Sequence, residues 1–191
     1  MNKGTIFRFV TLIPLRIKPP RQPMMTEHTA YLLLGTNLGN RSENLAKATA
    51  AIRMFLGRVD SQSHIYETAP WGKPHQPNFY NQAIKVTTPC SPLETLHLLK
   101  QIEFLLGRDN SEKWAPRIID IDILFFDELA IESPLLTVPH QHIASRRFTL
   151  DPLCEIAPDL VHPVLKQTIA ELTMACTDPL TVKEVDAVYQ F

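Results

Sequence analysis

Apolar residues recur along the chain with two periods, one typical of strands and one typical of helices. Short apolar or alternating runs predict strands at residues 30–35, 59–66, 79–88, 117–126, 130–132 and 136–138. Apolar residues three or four positions apart predict helices at residues 40–57, 91–107 and 167–176, with a helical turn at 150–156. The order strand, helix, strand, strand, helix, strand predicts an α+β fold. The specific form we expect is a ferredoxin-like plait, with helices packed on a mixed, mostly antiparallel sheet.

Local signals mark where the first two helices begin. Asn40 or Ser42 can cap the first helix. For the second, Ser91 is the cap, Pro92 stands at the first helical position and Glu94 can complete a capping box. The proline-containing stretches at 68–78 and 108–116 are predicted loops, and no clear pattern follows residue 176.

Composition narrows the class of protein. The chain has 191 residues, 45% apolar and 20% charged, which suits one domain over residues 26–191. The net charge of −1 argues against nucleic-acid binding, and no apolar run is long enough to span a membrane. The cysteines are odd in number, widely spaced and without a CxxC pair, as in reduced cytoplasmic proteins. We therefore expect a cytoplasmic monomer without nucleic-acid or membrane partners.

The first 25 residues differ from the rest of the chain. They are basic and free of acids, as organelle-targeting peptides are, but they lack serines and contain four prolines. We expect either a disordered extension or a stretch upstream of the true start at Met24 or Met25.

Two aspartates lie two positions apart in the predicted strand at 117–126. Asp120 and Asp122 therefore project from the same face, with backbones roughly 7 Å apart. Two carboxylates on so apolar a strand repel each other and are costly to desolvate, and a divalent cation such as Mg²⁺ removes both problems. The alternative is two exposed acids on an edge strand, although strands are depleted in aspartate.

Arginines surround this pair and suggest a phosphate ligand. Arg108 and Arg117 flank the loop before the strand, and Arg146 and Arg147 lie in a later loop. Guanidinium groups match phosphate oxygens, although each arginine alone could be a solvated surface residue. The sequence contains no Walker A motif, so a phosphate site here requires another kind of ATP fold.

Large aromatic residues stand in or beside predicted loops, at Trp71, Phe79, Trp114 and Phe148. A planar heterocycle would stack on such rings, and ordinary core packing is the alternative. A zinc site at His140 and His142 lacks a third ligand in the sequence.

Several short motifs follow one another in order over residues 30–163. These motifs are GTNLG at 35–39, YETAPWG at 66–72, QPNFYN at 76–81, IE at 102–103, GR at 107–108, WAPR at 114–117, DID at 120–122, LTVPH at 136–140, RRF at 146–148 and PLCEIAP at 152–158. Each motif is weak alone, but the ordered set is specific, and it closely resembles the hydroxymethyldihydropterin pyrophosphokinase family.

The resemblance implies Mg²⁺-dependent transfer of pyrophosphate from ATP to 6-hydroxymethyl-7,8-dihydropterin, with release of AMP, in folate biosynthesis. It implies that Asp120 and Asp122 bind two Mg²⁺ ions and that Arg108 and Arg117 are catalytic together with them. The implied pterin-binding residues are Thr68, Pro70, Trp71, Phe79, Asn81 and Phe148. The implied ATP-binding residues are Glu103, Arg108, Trp114, Arg117, Ile123, Thr137, His140 and Arg146.

Some positions depart from the family pattern, and two other functions remain possible on the residues alone. Asn110 replaces a second arginine, Leu135 a basic residue, and Phe79 and Gln141 replace tyrosines, which bears on loop closure and ATP affinity. A nucleotidyltransferase could also use paired aspartates and two metals, attacking the α-phosphorus and releasing pyrophosphate. A non-catalytic pterin-binding or scaffold protein is the other alternative.

Overall fold

A computed structural model describes residues 26–71, 76–108 and 115–185. Along the chain the elements are β1 (His28–Thr36), α1 (Arg41–Phe55), β2 (Arg58–Gln62), β3 (Tyr66–Thr68), β4 (Phe79–Thr88), α2 (Pro92–Leu105), β5 (Asp120–Phe126), β6 (Ile131–Glu132), β7 (Thr137–Val138), a 3₁₀ turn (Ile143–Ser145), α3 (Arg147–Ile156), α4 (Ile169–Ala175) and β8 (Val182–Glu184). The predicted α+β class is confirmed.

One twisted sheet organises these elements. Its strand order is β5-β1-β4-β3-β8, and β2 also pairs with β4. Each of these pairings is antiparallel. The strands β6 and β7 form a separate antiparallel pair, attached to β5 through a hydrogen bond from the His140 N–H to the Leu124 carbonyl. The strand β1 therefore lies between β4 and β5, so residues from all three can meet on one face.

The two faces of the sheet have different covers. On one face, Leu32, Ile84 and Ile121 pack in a buried cluster with residues of α1 and α2, including Ile52 and Ile102. Burying each such side chain stabilises the fold by about 1.5–3 kcal/mol. Ile121, which lies between the two aspartates, therefore points into the core.

The opposite face is covered by α3 and α4 over only part of its length. Leu33 and Leu124 pack there against Leu150 and Leu153 of α3 and Leu172 of α4. Beyond the start of α3 the same face is open to a cavity. The sheet thus presents a row of side chains that no helix covers.

Capping fixes the starts of α1 and α2 as predicted. The Glu43 N–H donates to the Asn40 side chain, so Asn40 is the cap and Ser42 lies inside the helix. Ser91 and Glu94 form the full capping box of α2. Such caps satisfy N–H groups that otherwise lack partners at helix starts.

The predicted strand 59–66 is in fact two strands separated at Ser63. The Ser63 hydroxyl accepts a hydrogen bond from the Ala83 N–H, and the Ser63 carbonyl accepts one from the Gln82 side chain. Side-chain hydrogen bonds thus replace some of the regular backbone bonds between strands at Ser63. The strand β3 then begins at Tyr66 and ends at Thr68, a residue that was predicted to lie in a loop.

Three further boundaries were wrong. The predicted strand 117–126 begins only at Asp120, because the backbone of Arg117 bonds to Asn37 instead of to the sheet. The helical turn predicted at 150–156 is the longer helix α3, which tolerates Pro152 in its interior. The strand β8 lies in a segment without a sequence pattern, and its three residues pair with β3.

Some predictions fall outside what the coordinates describe. The extension at 1–25 lies outside the described residues, and the assignment of 26–191 to a single domain stays a prediction. Among the residues that are described, no helix has the length and apolar character needed to cross a membrane.

Candidate active site

The open part of the sheet forms the floor of a cavity between β1, β4, β5 and the start of α3. It is lined by Leu33, Gly35, Thr68, Ala69, Trp71, Phe79, Asn81, Arg117, Asp120, Asp122, Arg146 and Phe148. Nine of these residues were predicted from the sequence. Leu33, Gly35 and Ala69 were not predicted as site residues, although the GTNLG and YETAPWG motifs contain the last two.

The strand register explains how distant residues meet on this floor. Gly35 pairs with Asn81 on one side and with Asp120 on the other. A Cβ at residue 35 would stand 3.2 Å from Oδ1 of Asn81, so glycine leaves room for that side chain. The Asn81 amide in turn donates to the Thr68 hydroxyl at 2.9 Å. One row across the sheet therefore joins an amide, an open glycine position and a carboxylate.

Asp120 is held by two arginines. Its two oxygens accept hydrogen bonds from Arg108 and Arg117, which are the flanking arginines singled out in the sequence. Burial alone would raise the pKa of Asp120, but the charges of Arg117 and Arg108 hold it below its ordinary value. This carboxylate is therefore ionised and paired in the metal-free protein.

Asp122 has a different environment. It projects into the same cavity, yet no hydrogen bond or ion pair to its carboxylate is recorded within the described part of the chain. Burial, followed by the charge of Asp120, raises the pKa of Asp122 to about 7. A nearby cation would remove this penalty, because it favours the ionised form.

Glu103 connects α2 to the strand that carries both aspartates. Its buried carboxylate accepts the Ile121 N–H at 2.7 Å and contacts Lys100 and Arg108 at 2.9 and 2.6 Å. Burial raises the pKa of Glu103 even though these groups oppose the shift. Arg108 thus bridges Glu103 and Asp120, and one buried network fixes the position of β5 relative to α2.

Aromatic rings and one arginine form the other half of the cavity. The guanidinium of Arg146 lies 4.5 Å from the ring centre of Trp71 and 5.6 Å from that of Phe148. Burial lowers the pKa of Arg146, and its buried Nε has no hydrogen-bond partner among the described residues. Phe79 lines the cavity from the start of β4. The aromatic rings of this half suit a planar ligand. The guanidinium of Arg146 beside them has no carboxylate ion pair among the described residues.

Asn37 is a site residue that the sequence analysis did not identify. Its side-chain oxygen accepts the Arg117 N–H at 2.7 Å, and its backbone N–H donates to the Arg117 carbonyl at 3.1 Å. Its amide also donates toward Gln76 and Pro77. Asn37 therefore ties the segment before β5 to the one before β4. Its place within the GTNLG motif was the available signal.

The predicted ATP residues are not all in this cavity. Ile123 is buried in the core beneath α2, and Thr137 and His140 line a separate depression beside β6 and β7. Burial, followed by the charge of Arg146, lowers the pKa of His140 to about 4, so its imidazole is neutral. Pro70 is not among the cavity-lining residues, and Trp114 lies outside the described residues.

A metal held by protein groups alone is not supported where the chain is described. No group of three or more histidine, cysteine, aspartate or glutamate side chains is placed to hold an ion within 26–71, 76–108 and 115–185. A pair of aspartates suits Mg²⁺, which is usually bound by one or two carboxylates and completes its shell with substrate phosphates and water.

Comparison with known proteins gives a consistent result. The family model described as 7,8-dihydro-6-hydroxymethylpterin-pyrophosphokinase (HPPK) matches residues 31–158. The 2-amino-4-hydroxy-6-hydroxymethyldihydropteridine pyrophosphokinase of Aquifex aeolicus is 39% identical over 143 residues, covering 75% of this chain and 89% of that protein. The protein of the same name from Bacillus subtilis is 40% identical over 150 residues, covering 78% of this chain and 85% of that protein.

Solved structures support the fold. The crystal structure of wild-type Plasmodium falciparum HPPK-DHPS with SDX-DHP superposes with a TM-score of 0.64 at 22% identity, over 78% of this chain. The match spans only 43% of that longer chain. This similarity concerns the fold alone.

Proposed function

Since the chain belongs to the 7,8-dihydro-6-hydroxymethylpterin-pyrophosphokinase family and is thus a diphosphotransferase, we propose that it transfers pyrophosphate from ATP to 6-hydroxymethyl-7,8-dihydropterin and releases AMP. The proposal includes dependence on Mg²⁺, with two ions bound at Asp120 and Asp122. The observation that carries it is one cavity that is lined both by the two aspartates and by aromatic rings.

The aspartate pair suits a magnesium site for an electrostatic reason. No described residue places a counter-charge in contact with Asp122, and burial, followed by the charge of Asp120, raises its pKa. Asp120 is already ionised beside its arginines. Bound Mg²⁺ would neutralise charge on the ATP phosphates and polarise the phosphoryl group that is transferred. Both carboxylates would hold the ions from the β5 side, with phosphate oxygens as the remaining ligands.

The arginines have a second task in this proposal. Arg108 and Arg117 contact Asp120, and Arg146 lies over the rings of Trp71 and Phe148. Guanidinium groups would orient the triphosphate, because their fork matches phosphate oxygens. Arg146 lacks a carboxylate ion pair in the described chain, so it could engage an anion without first breaking one.

The pterin would occupy the aromatic half. Phe148 and Phe79 offer ring faces for stacking, while Asn81 and Thr68 offer polar groups at its edge. In this proposal the hydroxymethyl group would face the aspartates. Phosphoryl transfer then depends mainly on alignment and charge neutralisation, which a preorganised site provides. Trp71, and Trp114 as the family resemblance implies, would close over the ligands, and Glu103, Ile123, Thr137 and His140 would form the ATP pocket.

Product analysis tests the proposal directly. Purified protein is incubated with ATP, Mg²⁺ and 6-hydroxymethyl-7,8-dihydropterin, and the nucleotides and pterins are separated by chromatography. AMP and the pterin diphosphate should accumulate in equal amounts, and neither should form without the pterin. The Asp159→Asn variant is a matched control, because Asp159 is an exposed acid outside the cavity. Release of pyrophosphate with a nucleotidylated pterin would instead indicate a nucleotidyltransferase.

Further expectations about the fold, location, oligomeric state and partners accompany this proposal. The strand order β5-β1-β4, flanked by β2 and β3, supports a ferredoxin-like plait. We also propose a cytoplasmic monomer whose partners are ATP and the pterin alone. Sedimentation of the purified protein at several concentrations tests the monomer, and an oligomer stable at micromolar concentration would contradict it.

A further inference from the structure

The helix α3 carries Phe148, which belongs to the aromatic half of the cavity, but its N-cap residue does not cap the helix with its side chain. Arg146, at the N-cap position, makes no side-chain hydrogen bond to the helix. The first helical residues, Arg147 and Phe148, follow directly, and Phe148 lines the cavity. Something else must therefore satisfy the N–H groups at this end.

That partner comes from the segment between α4 and β8. Oδ2 of Asp178 accepts the Arg147 N–H at 3.0 Å. Oδ1 of the same carboxylate accepts the Leu180 N–H at 3.1 Å, and Pro179 between them restricts the backbone. Asp178 is thus held in place by its own turn and caps α3 from 31 residues away. A carboxylate at a helix start is also favoured by the helix dipole.

The same segment reaches the opposite wall of the cavity. After Asp178 the chain enters β8, where Val182 pairs with Thr68. The Val185 N–H then donates to the Ile65 carbonyl at 2.8 Å. Asp178 also lies close enough to Arg146 for its charge to favour the cationic form of that side chain. A short stretch of chain therefore contacts both the Phe148 side and the Thr68 side of the cavity.

We propose that Asp178 is a positioning residue for the pterin half of the site: its carboxylate sets the start of α3 and thereby the placement of Phe148. Asp178 itself does not line the cavity. This inference rests on the proposed function, because it assigns the aromatic half to the pterin. It does not involve the aspartates of β5, so the two ligands should respond differently to its loss.

The test compares Asp178→Ala with Asp178→Asn, which keeps one oxygen acceptor. Pterin and ATP affinities are measured separately by calorimetry, along with steady-state kinetics and melting temperature. Asp178→Ala should raise the pterin Kd and KM about fivefold, the factor that corresponds to loss of a typical N-cap. The ATP Kd and kcat should change by less than about twofold. Asp178→Asn should recover part of the pterin affinity.

Two controls separate positioning from general loosening. Asp159→Ala removes a similar charge from an exposed position outside the cavity. Glu155→Gln alters the other end of α3, where Glu155 accepts the His64 N–H and the Tyr66 hydroxyl. Both should leave the ratio of pterin to ATP affinity nearly unchanged.

The outcomes are distinct. Unchanged pterin binding in folded Asp178→Ala, or equal weakening of both ligands, would overturn the positioning role and leave the proposed function intact. Failure of the wild-type protein to bind the pterin at all would overturn both. If Asp178→Ala does not fold, the ratio measured for Asp178→Asn decides, and an unchanged ratio there rejects the proposal.

Discussion

The two aspartates of β5 differ in a way that one substitution exposes. Within the described part of the chain no counter-charge contacts Asp122, whereas Asp120 accepts hydrogen bonds from Arg108 and Arg117. Asp122→Asn keeps the shape of the side chain and removes its charge. We expect this variant to be more stable than the wild type without metal, yet almost inactive.

The expected gain in stability follows from the pKa of Asp122. Its folded-state pKa of about 7 lies above the ordinary aspartate pKa of 3.8. A difference of about three pH units corresponds to at most about 4 kcal/mol. Because the folded-state pKa is the higher one, the stability that Asp122 contributes is fully present below about pH 4. That contribution is lost as the pH rises through about 7.

The assay is urea unfolding of both proteins in a chelator, at several pH values from 4 to 8. The free energies of unfolding should coincide near pH 4, and the variant should become the more stable by up to about 4 kcal/mol at pH 8. With Mg²⁺ restored, AMP release by the variant should fall by about a hundredfold or more. The variant lacks one carboxylate ligand of the Mg²⁺ that would neutralise charge on the transferred phosphoryl group.

Asp120→Asn provides the matched comparison. It leaves Arg108 and Arg117 without their shared carboxylate, so this variant should be destabilised by about 1–3 kcal/mol. Full activity in a stable Asp122→Asn protein would refute the metal role. A stability difference between Asp122→Asn and the wild type that does not change with pH would refute the electrostatic account of Asp122.

Two further predictions concern the aromatic wall and the N-terminus. Phe148→Ala should weaken pterin binding about tenfold or more, since stacking on one ring is worth about 1–3 kcal/mol, while ATP binding should change little. Equal weakening of pterin and ATP binding, measured by calorimetry, would instead indicate collapse of the site. Deleting residues 1–24 should leave melting temperature and AMP release nearly unchanged, because the family match begins at residue 31 and β1 at His28; a large loss of either would contradict this.

Features that depend on neighbours in the sequence were predictable. The two-residue period placed Asp120 and Asp122 on one face, and the capping residues located the starts of α1 and α2. Side-chain preference and periodicity act locally, so a sequence displays them directly. The aromatic residues that line the cavity were also predicted, from the ordered motifs of the family resemblance.

Features that depend on distant partners were missed. The strand β8 has only three residues, and it forms because β3 offers an open edge more than 110 positions earlier. Asn37 acts through Arg117, which is 80 residues away, and Asp178 acts through Arg147. No local pattern distinguishes these polar residues from ordinary turn residues, because their partners are fixed only by the fold.

The difference between Asp120 and Asp122 shows how the two halves of the site depend on the rest of the molecule. Two acids on one face of the same strand acquire opposite pKa shifts. Burial and then the charge of Asp120 raise the pKa of Asp122, whereas contact with Arg117 and Arg108 lowers that of Asp120. The acidic half is held by a buried network within β5 and α2, centred on Glu103. The aromatic half lies at the start of α3, whose cap comes from the C-terminal segment. Substitutions in that segment should therefore alter recognition of the planar ligand, while those around Glu103 should alter the handling of phosphate and metal.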